Sequence, residues 1–459
     1  MQQKDSHSLF HDLRKKYPTF LFESYSVIPS RNDLTLEFSF SISDTFFFKP
    51  RLIISLDHFH DRTIIDSPLF HQIVIHIGLI EMISYWKATC SPKVIIRPVH
   101  LDKWQVDWWK KLFYHGLGEF IYTNSIETDQ ESLVTLLPEG NSISSHSTFH
   151  SEEGYIVPIG GGKDSCVSLR LLSEYPCRPY MLNPRQSASQ ILRQSGFTES
   201  ESVIFHRNIH PQLLELNRKG FLNGHTPFSA LIAFTSLLAS LLTGYRNIAL
   251  SNESSANEAT VPHTTINHQY SKTFEFENDF REYCFSYISR DINYFSLLRP
   301  LNELQIAHLF SGMREYFPYF RSCNEGSHSD SWCGRCAKCL FTYIILSPFL
   351  EENELIRIFG YNLLDNYLLK DLFDQLTGVS DEKPFECVGT VHEVNAAVRV
   401  LLERIPGDKL PLLLRHYQSL PFYSDRVDAF SWHKLLQNYD PAHFVPLELE
   451  KMIRKEVYE

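Results

Sequence analysis

A lysine, an aspartate and a serine follow three consecutive glycines in the stretch GYIVPIGGGKDSCVSLRLL, residues 154–172. The apolar residues 155–159 before the glycines predict a strand, and the residues from 164 to 173 predict a helix. Glycines let backbone amides close around a phosphate without a Cβ in the way, and a helix N-terminus adds a favourable dipole. The stretch therefore predicts a phosphate-binding loop, with a plain strand-to-helix turn as the alternative.

The spacing in this glycine loop excludes two common nucleotide-binding motifs. A Walker A loop requires Ser or Thr directly after the lysine, where this chain has Asp164, and the GxGxxG spacing of dinucleotide folds is missing as well. The loop instead resembles the SGGxDS loop of the PP-loop ATP pyrophosphatases, relatives of asparagine synthetase and NAD synthetase, with Gly160 in place of the leading serine. This resemblance implies that ATP is bound by Gly160, Gly161, Gly162, Lys163, Asp164, Ser165 and, near the adenine, Asn183.

In that superfamily a substrate oxygen attacks the α-phosphate of ATP, and the β- and γ-phosphates leave as pyrophosphate. The implied reaction needs no protein nucleophile, because positioning and charge neutralisation by Mg²⁺, by the lysine and by backbone amides are sufficient. Lys163 and Asp164 are accordingly expected to be catalytic as well as ATP-binding residues. We expect ATP and Mg²⁺ to bind at the loop.

Four cysteines form a second group with chemically suggestive spacing, C-x9-C-x2-C-x2-C, made of Cys323, Cys333, Cys336 and Cys339. Four thiolates complete a tetrahedral Zn²⁺ site and leave no open position for a substrate, so the spacing predicts structural zinc. An iron–sulfur cluster and a chance cluster of buried thiols are the alternatives. A similar four-cysteine site follows the loop in the 7-cyano-7-deazaguanine synthases. The nine cysteines less these four leave five, Cys166 among them, which we interpret as packing residues.

The segment SNESSANEATVPHTTINHQYSKTFEFENDF, residues 251–280, is dense in Asn, Glu, His and Lys. A solvated surface loop is the plain alternative, but the segment follows a predicted strand, where α/β sheets bind ligands. Together with NGHTPFSA at 223–230 and RPLNELQIAHLF at 299–310, it resembles the UDP-N-acetylmuramoyl-L-alanyl-L-glutamate epimerases of peptidoglycan precursor synthesis. The motifs that carry this resemblance lie between residues 154 and 348.

The resemblance implies ATP-dependent inversion of the terminal L-Glu of UDP-MurNAc-L-Ala-L-Glu to D-Glu, with release of AMP and diphosphate. Adenylation removes the negative charge of the glutamate carboxylate, so that a base can take the α-proton and a proton can return on the opposite face. Hydrolysis of the acyl adenylate then makes the inversion irreversible. The expected partner is this UDP-MurNAc-dipeptide, and pyridoxal phosphate is not expected.

The polar side chains of residues 251–280 supply candidates for the substrate chemistry. Because general bases are commonly His, Glu or Lys, the candidates for acid, base or Mg²⁺ contact are His268, Lys272, Glu253 and Glu258. Taken singly, each fits a binding role better than the role of the base. The residues predicted to hold carboxylates or amides of the substrate are Asn252, Asn257, Asn267 and Gln269, and Arg97 or Arg185 is a candidate for the UDP phosphates.

Two other functions remain open. A PP-loop ATP pyrophosphatase that modifies a nucleobase or tRNA, by thiolation or nitrile formation, would have a basic surface or a reactive cysteine near the loop. The net charge of −11 counts against the basic surface, and Cys166 is the nearest thiol. The other function is that of a nucleotide-binding regulatory module without turnover, against which the intact Lys163, Asp164 and Ser165 count.

The composition bounds the class of protein. A chain of 459 residues with 43% hydrophobic residues is long enough for two or three cores. The N-terminus lacks the apolar core of a signal peptide, and the apolar run at residues 228–245 is interpreted as a buried helix. We therefore expect a cytoplasmic protein that binds neither nucleic acid nor a membrane; the sequence does not indicate its oligomeric state.

The elements that must position these residues form an α/β pattern. Alternating strands and helices from residue 154 onward predict a doubly wound parallel sheet of the PP-loop ATP pyrophosphatase (HUP-like) type. Strands are expected at residues 155–159, 180–182, 203–205 and 247–251, with a long helix over 226–243. The carboxyl ends of such strands bring the glycine loop and the segment after residue 250 to one edge of the sheet.

Four regions are predicted along the chain. Residues 1–150 are expected to form an α+β domain, with a strand at 34–42, a helix at 70–87 and a linker at 123–152. The remaining regions are the ATP pyrophosphatase domain at 151–322, the four-cysteine metal-binding segment at 323–345 and a helical C-terminal region at 346–459.

Overall fold

One mixed β-sheet organises the protein. The computed structural model describes residues 6–142, 151–261, 264, 266–421 and 432–458. The strands are β1 (Thr19–Pro29), β2 (Asp33–Ile42), β3 (Phe46–Phe48), β4 (Arg51–Ser55), β5 (Lys93–Ile96), β6 (Thr135–Pro138), β7 (Glu152–Pro158), β8 (Cys177–Leu182), β9 (Val203–Asn208), β10 (Tyr245–Leu250) and β11 (Asn293–Ser296). Their order across the sheet is β11-β10-β7-β8-β9-β4-β2-β1-β5-β6, and β3 pairs with β2.

Helices cover this sheet and form the C-terminal region. They are α1 (Ser6–Lys16), α2 (Pro68–Trp86), α3 (Lys103–Gly116), α4 (Gly118–Thr123), α5 (Gln130–Leu133), α6 (Lys163–Leu171), α7 (Gln186–Gln194), α8 (Pro211–Arg218), α9 (Phe228–Thr243), α10 (Phe274–Tyr287), α11 (Glu303–Ser311), α12 (Ala337–Leu346), α13 (Glu352–Phe359), α14 (Lys370–Thr377), α15 (Val391–Arg404), α16 (Leu412–Gln418), α17 (Trp432–Gln437) and α18 (Leu447–Tyr458). Helices α11, α12, α14 and α15 pack on one another and form a second hydrophobic core beside α6.

Five neighbouring strands form the parallel part that the sequence predicts. Strand β7 pairs in parallel with β8 on one side and β10 on the other, and β9 and β11 extend the sheet outward in the same direction. The chain therefore leaves β7 towards β8 and β9, then returns to build β10 and β11. Ligands of doubly wound sheets bind where the strand order reverses, which here lies between β7 and β10.

The N-terminal half adds antiparallel strands to the same sheet. Strand β4 pairs antiparallel with β9, with Ile54 opposite Phe205, and β2 pairs antiparallel with β4 and β1. The parallel sheet expected from residue 154 onward is thus continuous with antiparallel strands, and the sheet as a whole is mixed, because the short connections from β1 to β4 permit only antiparallel neighbours. Strands from both sides of residue 150 share this sheet, and the domain boundaries stay a prediction.

The N-terminal strands of the sheet pack an apolar face against helix α2. Alternate residues of β2, Leu34 to Ile42, are buried, which confirms the strand predicted there. Helix α2 lies so close that a Cβ on Gly78 would come within 2.4 Å of the Phe22 ring. Among the described residues, α2 is the one helix long and apolar enough to cross a membrane, and 89% of that window is buried inside the molecule.

The predicted linker at residues 123–152 is only partly correct. Residues 135–138 form β6, which pairs in parallel with β5 at the edge of the sheet. Strand β6 is four residues long and its sequence TLLP carries no full period of alternation, so the local signal was weak. Residues 143–150 of the predicted linker lie outside the described residues.

Candidate active site

The glycine loop joins β7 to α6 at the reversal of strand order. Gly161 has φ +93°, and a Cβ there would lie 2.7 Å from Ser187 Oγ, so a side chain is excluded by both conformation and space. Gly162 is the N-cap residue of α6, and none of the described side chains caps this helix. The amides of the first turn can therefore receive an anion. Ser165 Oγ donates to the carbonyl of Gly162 at 2.8 Å and stiffens the turn.

Lys163 is buried between two carboxylates. Its Nζ is ion-paired with Asp164 Oδ1 and with Glu303 Oε2. Burial alone would lower the pKa of this lysine, but the two carboxylates outweigh it and hold the pKa above its usual value. Burial likewise would raise the pKa of Asp164, and the charge of Lys163 instead lowers it. Lys163 is therefore a permanent cation at the start of α6.

Two further carboxylates, Glu253 and Glu393, belong to the same buried group as Glu303. Burial raises the pKa of Glu303, of Glu253 and of Glu393, and mutual repulsion adds to the rise at each. Glu393 Oε1 accepts from the Ser255 hydroxyl and from the Glu303 amide, both at 2.6 Å. Buried carboxylates that repel one another are stabilised by a cation, and oxygen donors are what Mg²⁺ prefers. These carboxylates are therefore the candidate ligands for the expected Mg²⁺.

Arg299 links the backbone near Glu253 to the backbone near Lys272. Its guanidinium is fully buried, is paired with Glu277 at 3.1 Å, and donates to the carbonyl oxygens of Glu253 and Lys272. One planar side chain thus fixes the backbone on both ends of the segment that follows β10.

A thiol, an imidazole and a lysine meet at the other end of that segment. Lys272 Nζ donates to Cys387 Sγ at 3.4 Å. His268 lies close enough to the same thiol for the two groups to shift each other's pKa, and its Nδ1 contacts Glu119 Oε2. Burial would raise the pKa of Cys387, but Lys272 and His268 together lower it to about 5. Burial would lower the pKa of His268, and its bonds to Cys387 and Glu119 raise it to about 9.

The remaining predicted residues bond to other residues of the protein, mostly to main-chain groups. Glu258 is ion-paired with Lys383. Asn252 Nδ2 donates to Ser296 Oγ at 3.1 Å, and Asn257 Oδ1 accepts from the Phe274 amide at 2.9 Å. Asn267 Nδ2 donates to the Ala256 carbonyl at 2.9 Å, and Gln269 Nε2 to the Val388 carbonyl at 3.3 Å. Their contacts to substrate stay predictions, and residues 262, 263 and 265 lie outside the described part of this segment.

The direction of the preceding strand decides whether each of the other candidate residues lies near the glycine loop or at the opposite side of the sheet. Asn183, at φ 50°, bonds both the amide and the carbonyl of Arg207 at 2.8 Å, so it closes the carboxyl ends of β8 and β9 near the glycine loop. Exposed Arg185 precedes α7 at the same edge. Arg97 follows β5, which runs opposite to β7, and is paired with Glu23. It therefore lies at the edge away from the loop.

Sequence reasoning missed several site residues. Glu303 and Arg299 stood inside the quoted RPLNELQ motif without a role, and Glu393 and Glu119 carried no local signal. Cys387 was grouped with the packing cysteines, and its contacts with Lys272 and His268 correct that interpretation. Cys166 is a buried core residue, as expected.

The four cysteines converge as their spacing predicts. The Sγ atoms of Cys323 and Cys336 are 3.8 Å apart, those of Cys333 and Cys339 3.7 Å, and those of Cys336 and Cys339 3.5 Å. Zn–S bonds of about 2.3 Å in a tetrahedron place sulfurs about 3.8 Å apart, so the set fits a single ion. An iron–sulfur cluster would spread its thiolates over several iron atoms. Lys338, within the cysteine run, donates to the Cys387 carbonyl and so ties the metal segment to the site.

The fold and site define an α/β protein with a glycine loop before a helix, a buried lysine–carboxylate centre and a four-cysteine cluster that could hold a metal ion. Residues 11–297 match the family model described as MurL N-terminal domain, and residues 319–426 match that described as MurL C-terminal domain. The chain belongs to the MurL family, which confirms the resemblance drawn from its motifs.

Curated relatives agree with this assignment. The chain is 35% identical over 338 residues, 71% of this chain and 73% of the relative, to the UDP-N-acetyl-alpha-D-muramoyl-L-alanyl-L-glutamate epimerase of Xanthomonas oryzae pv. oryzae. Proteins of the same name from Micromonospora sp. and Salinispora tropica are 31% and 32% identical over 74% and 75% of this chain, and 76% of each relative is covered. No solved structure matches the chain.

Proposed function

We propose that this protein inverts the α-carbon of the terminal L-Glu of UDP-MurNAc-L-Ala-L-Glu through a carboxyl adenylate, with ATP cleaved to AMP and diphosphate. The relatives' shared name and the family membership support the epimerisation. One observation carries the ATP step: Lys163 is held as a buried cation at the uncapped start of α6, directly after a glycine turn that excludes side chains.

The residues at the reversal of strand order divide the adenylation between them. The amides of residues 161–165 and the Lys163 ammonium receive the β- and γ-phosphates as charge accumulates on the leaving diphosphate. Asp164, Glu253 and Glu303 hold Mg²⁺, which neutralises phosphate charge when bound. Asn183 positions the strand ends beneath the adenine. The glycine loop and strand order support a fold of the PP-loop ATP pyrophosphatase type for the parallel half.

The substrate lies, in this proposal, across the segment that follows β10. Asn252, Asn257, Asn267 and Gln269 bind its amides and carboxylates, and Arg185 is placed for its phosphates. Once the glutamate carboxylate is an acyl adenylate, its α-proton is acidic enough for a side-chain base, and the cationic His268 and Lys272 are candidates for the acid that returns a proton. The four cysteines hold structural Zn²⁺ at the start of α12. A soluble nucleotide precursor as substrate suits the cytoplasm.

The test is the complete reaction in heavy water. Purified protein with ATP, Mg²⁺ and UDP-MurNAc-L-Ala-L-Glu should yield the D-Glu diastereomer, AMP and diphosphate, with deuterium at the glutamate α-carbon. Chiral analysis of hydrolysed product and nucleotide chromatography measure the two halves separately. Inversion without ATP would overturn the adenylate, and AMP release with unchanged L-Glu would point to another acceptor such as a nucleobase or tRNA.

A further inference from the structure

Cys387 accepts a hydrogen bond from Lys272, a residue of the segment that follows β10. We propose that the Cys387 thiolate removes the α-proton of the activated glutamate, with His268 and Lys272 as its cationic neighbours and Glu119 as the residue that positions His268. The inference rests on the proposed epimerisation and assigns its proton transfer to one side chain.

The first support is the contact geometry. Cys387 Sγ accepts from Lys272 Nζ at 3.4 Å, the charge of His268 acts on the same sulfur, and Glu119 Oε2 holds the Nδ1 of that imidazole. Carboxylate, imidazole and thiol in series form the arrangement by which proteins orient and ionise a reactive cysteine. Glu119 also lies 3.5 Å from His225 Nδ1, in the NGHTPFSA motif. Residues far apart in the chain thus converge on one sulfur.

The second support is the connection to the ATP site. The charge of Lys272 acts on Asp164 and Glu253 as well as on Cys387. Lys338 acts on Asp164 and donates to the Cys387 carbonyl. A thiolate that shares its cations with the glycine-loop carboxylates adjoins the place where the substrate carboxyl would be adenylated. Cys387 itself is a half-buried residue.

The third support is the contrast with the other thiols outside the four-cysteine segment. Burial raises the pKa of Cys90, Cys166, Cys177 and Cys284, in the case of Cys177 to about 11. A protonated thiol in an apolar setting cannot accept a proton. Cys387 differs because Lys272 Nζ donates to its sulfur and because the charges of Lys272 and His268 both favour its thiolate.

The proton and electron pair can be followed through the step. The Cα–H bond breaks, the sulfur takes the proton to form S–H, and the electron pair moves into the acyl-adenylate carbonyl as an enolate. Water, or a group that exchanges with water, returns a proton to the opposite face. After hydrolysis releases AMP, the thiol returns its proton to solvent, and the thiolate is restored between Lys272 and His268.

Cys387→Ala and Cys387→Ser test the assignment, with Cys177→Ser as a matched control. Cys177 is also half-buried, but it is the first residue of β8. It therefore lies at the amino end of that strand, away from the site at the carboxyl ends. We expect both Cys387 variants to form AMP and diphosphate near the wild-type rate, while inversion and α-deuterium incorporation fall by at least ~100-fold. The Cys177→Ser control should retain both reactions. Thermal unfolding confirms that the variants are folded.

Each result has a definite meaning. A Cys387 variant that inverts and exchanges at the wild-type rate overturns the assignment. Loss of AMP formation in a folded variant also overturns it, because the residue would then serve adenylation. Failure of the wild-type protein to invert would instead count against the epimerisation, and in that case thiolate absorbance still decides on Cys387. The wild-type minus Cys387→Ser absorbance should rise with a midpoint near pH 5; a rise near that of an ordinary thiol overturns the inference.

Discussion

Lys163 and Glu303 form a buried ion pair between residues 140 positions apart in the chain. Lys163 begins α6 and Glu303 begins α11, so the pair joins the starts of two helices at the glycine loop. Removal of one partner from a buried pair leaves an uncompensated charge, which typically costs about 3–5 kcal/mol. When a nucleotide binds the loop, Lys163 must interact with its phosphates as well as with Glu303. Bound Mg²⁺ would then replace Lys163 as the counter-ion of Glu303.

Lys163→Ala should abolish both AMP formation and inversion. Lys163 places a buried ammonium at the start of α6, so adenylation should fall by at least ~100-fold when it is removed. Nucleotide chromatography and chiral analysis measure the two rates, and circular dichroism checks the fold. Lys219→Ala, which removes a surface pair with Glu215, should leave both rates intact. AMP formation at the wild-type rate in Lys163→Ala would refute the assigned role.

Gly161→Ala and Gly160→Ala should separate a required glycine from a dispensable one. At Gly161 the left-handed backbone and the 2.7 Å approach to Ser187 Oγ both oppose a Cβ, so the variant should lose about 1 kcal/mol of stability and bind ATP weakly. At Gly160 a Cβ would meet none of the described atoms within 4 Å, and ATP binding should persist. Isothermal calorimetry measures the affinity. Equal losses in the two variants would contradict this view of the turn.

Metal analysis should find one zinc ion per chain. Cys336→Ser breaks the tetrahedron and should lower both the zinc content and the melting temperature, because metal binding contributes directly to folding. Mass spectrometry and thermal unfolding measure the two quantities, and Cys177→Ser serves as control. Iron and acid-labile sulfide in the purified protein would show that a cluster occupies the site instead.

Arg299→Met should destabilise the protein by about 3–5 kcal/mol, since it leaves Glu277 buried without its partner. It should also release the carbonyls of Glu253 and Lys272 and so reduce inversion in the protein that remains folded. Urea denaturation measures the free energy. Arg246→Met, which removes an exposed pair with Glu153, should change it by less than about 1 kcal/mol. Similar losses of unfolding free energy in the two variants would contradict a structural role for Arg299.

The pH profile of inversion should be narrower than that of AMP formation. Below about pH 5 the Cys387 thiolate is protonated, and above about pH 9 His268 loses the charge that supports it. Lys272, His268 and Lys338 act on the thiol, and Glu119 lies behind His268. His268→Gln removes one cation and should therefore move the acidic limb to higher pH. Inversion and AMP formation that fall together at both limits would argue against a thiolate base.

Local sequence predicted the parallel half of the sheet well. Strands β7 to β10 and helices α6 and α9 were expected near their observed positions because apolar runs and glycines mark them locally. The antiparallel pairing of β4 with β9 could not be predicted, since edge-to-edge partners depend on contacts between residues far apart. The long strand β1 was missed although it carries buried Phe20 and Phe22, since its outer half is polar and exposed.

The candidate site divides in the same way. Contiguous motifs located Lys163 and the four cysteines, because spacing along the chain sets their geometry. Cys387 and Glu119 reach the site only through the fold, and no residue beside them in the sequence signals a partner. His268 was selected for its residue type alone, and its two contacts now give that selection a physical basis.

The hydrogen-bonded seam between β4 and β9 limits how this protein can move. A rigid rotation of one half against the other would shear that ladder, so clamshell closure over a long sugar-nucleotide is mechanically unfavourable. The loops that follow the strand ends would then have to close over the substrate. Their rearrangement would be a candidate for the rate-limiting step of turnover.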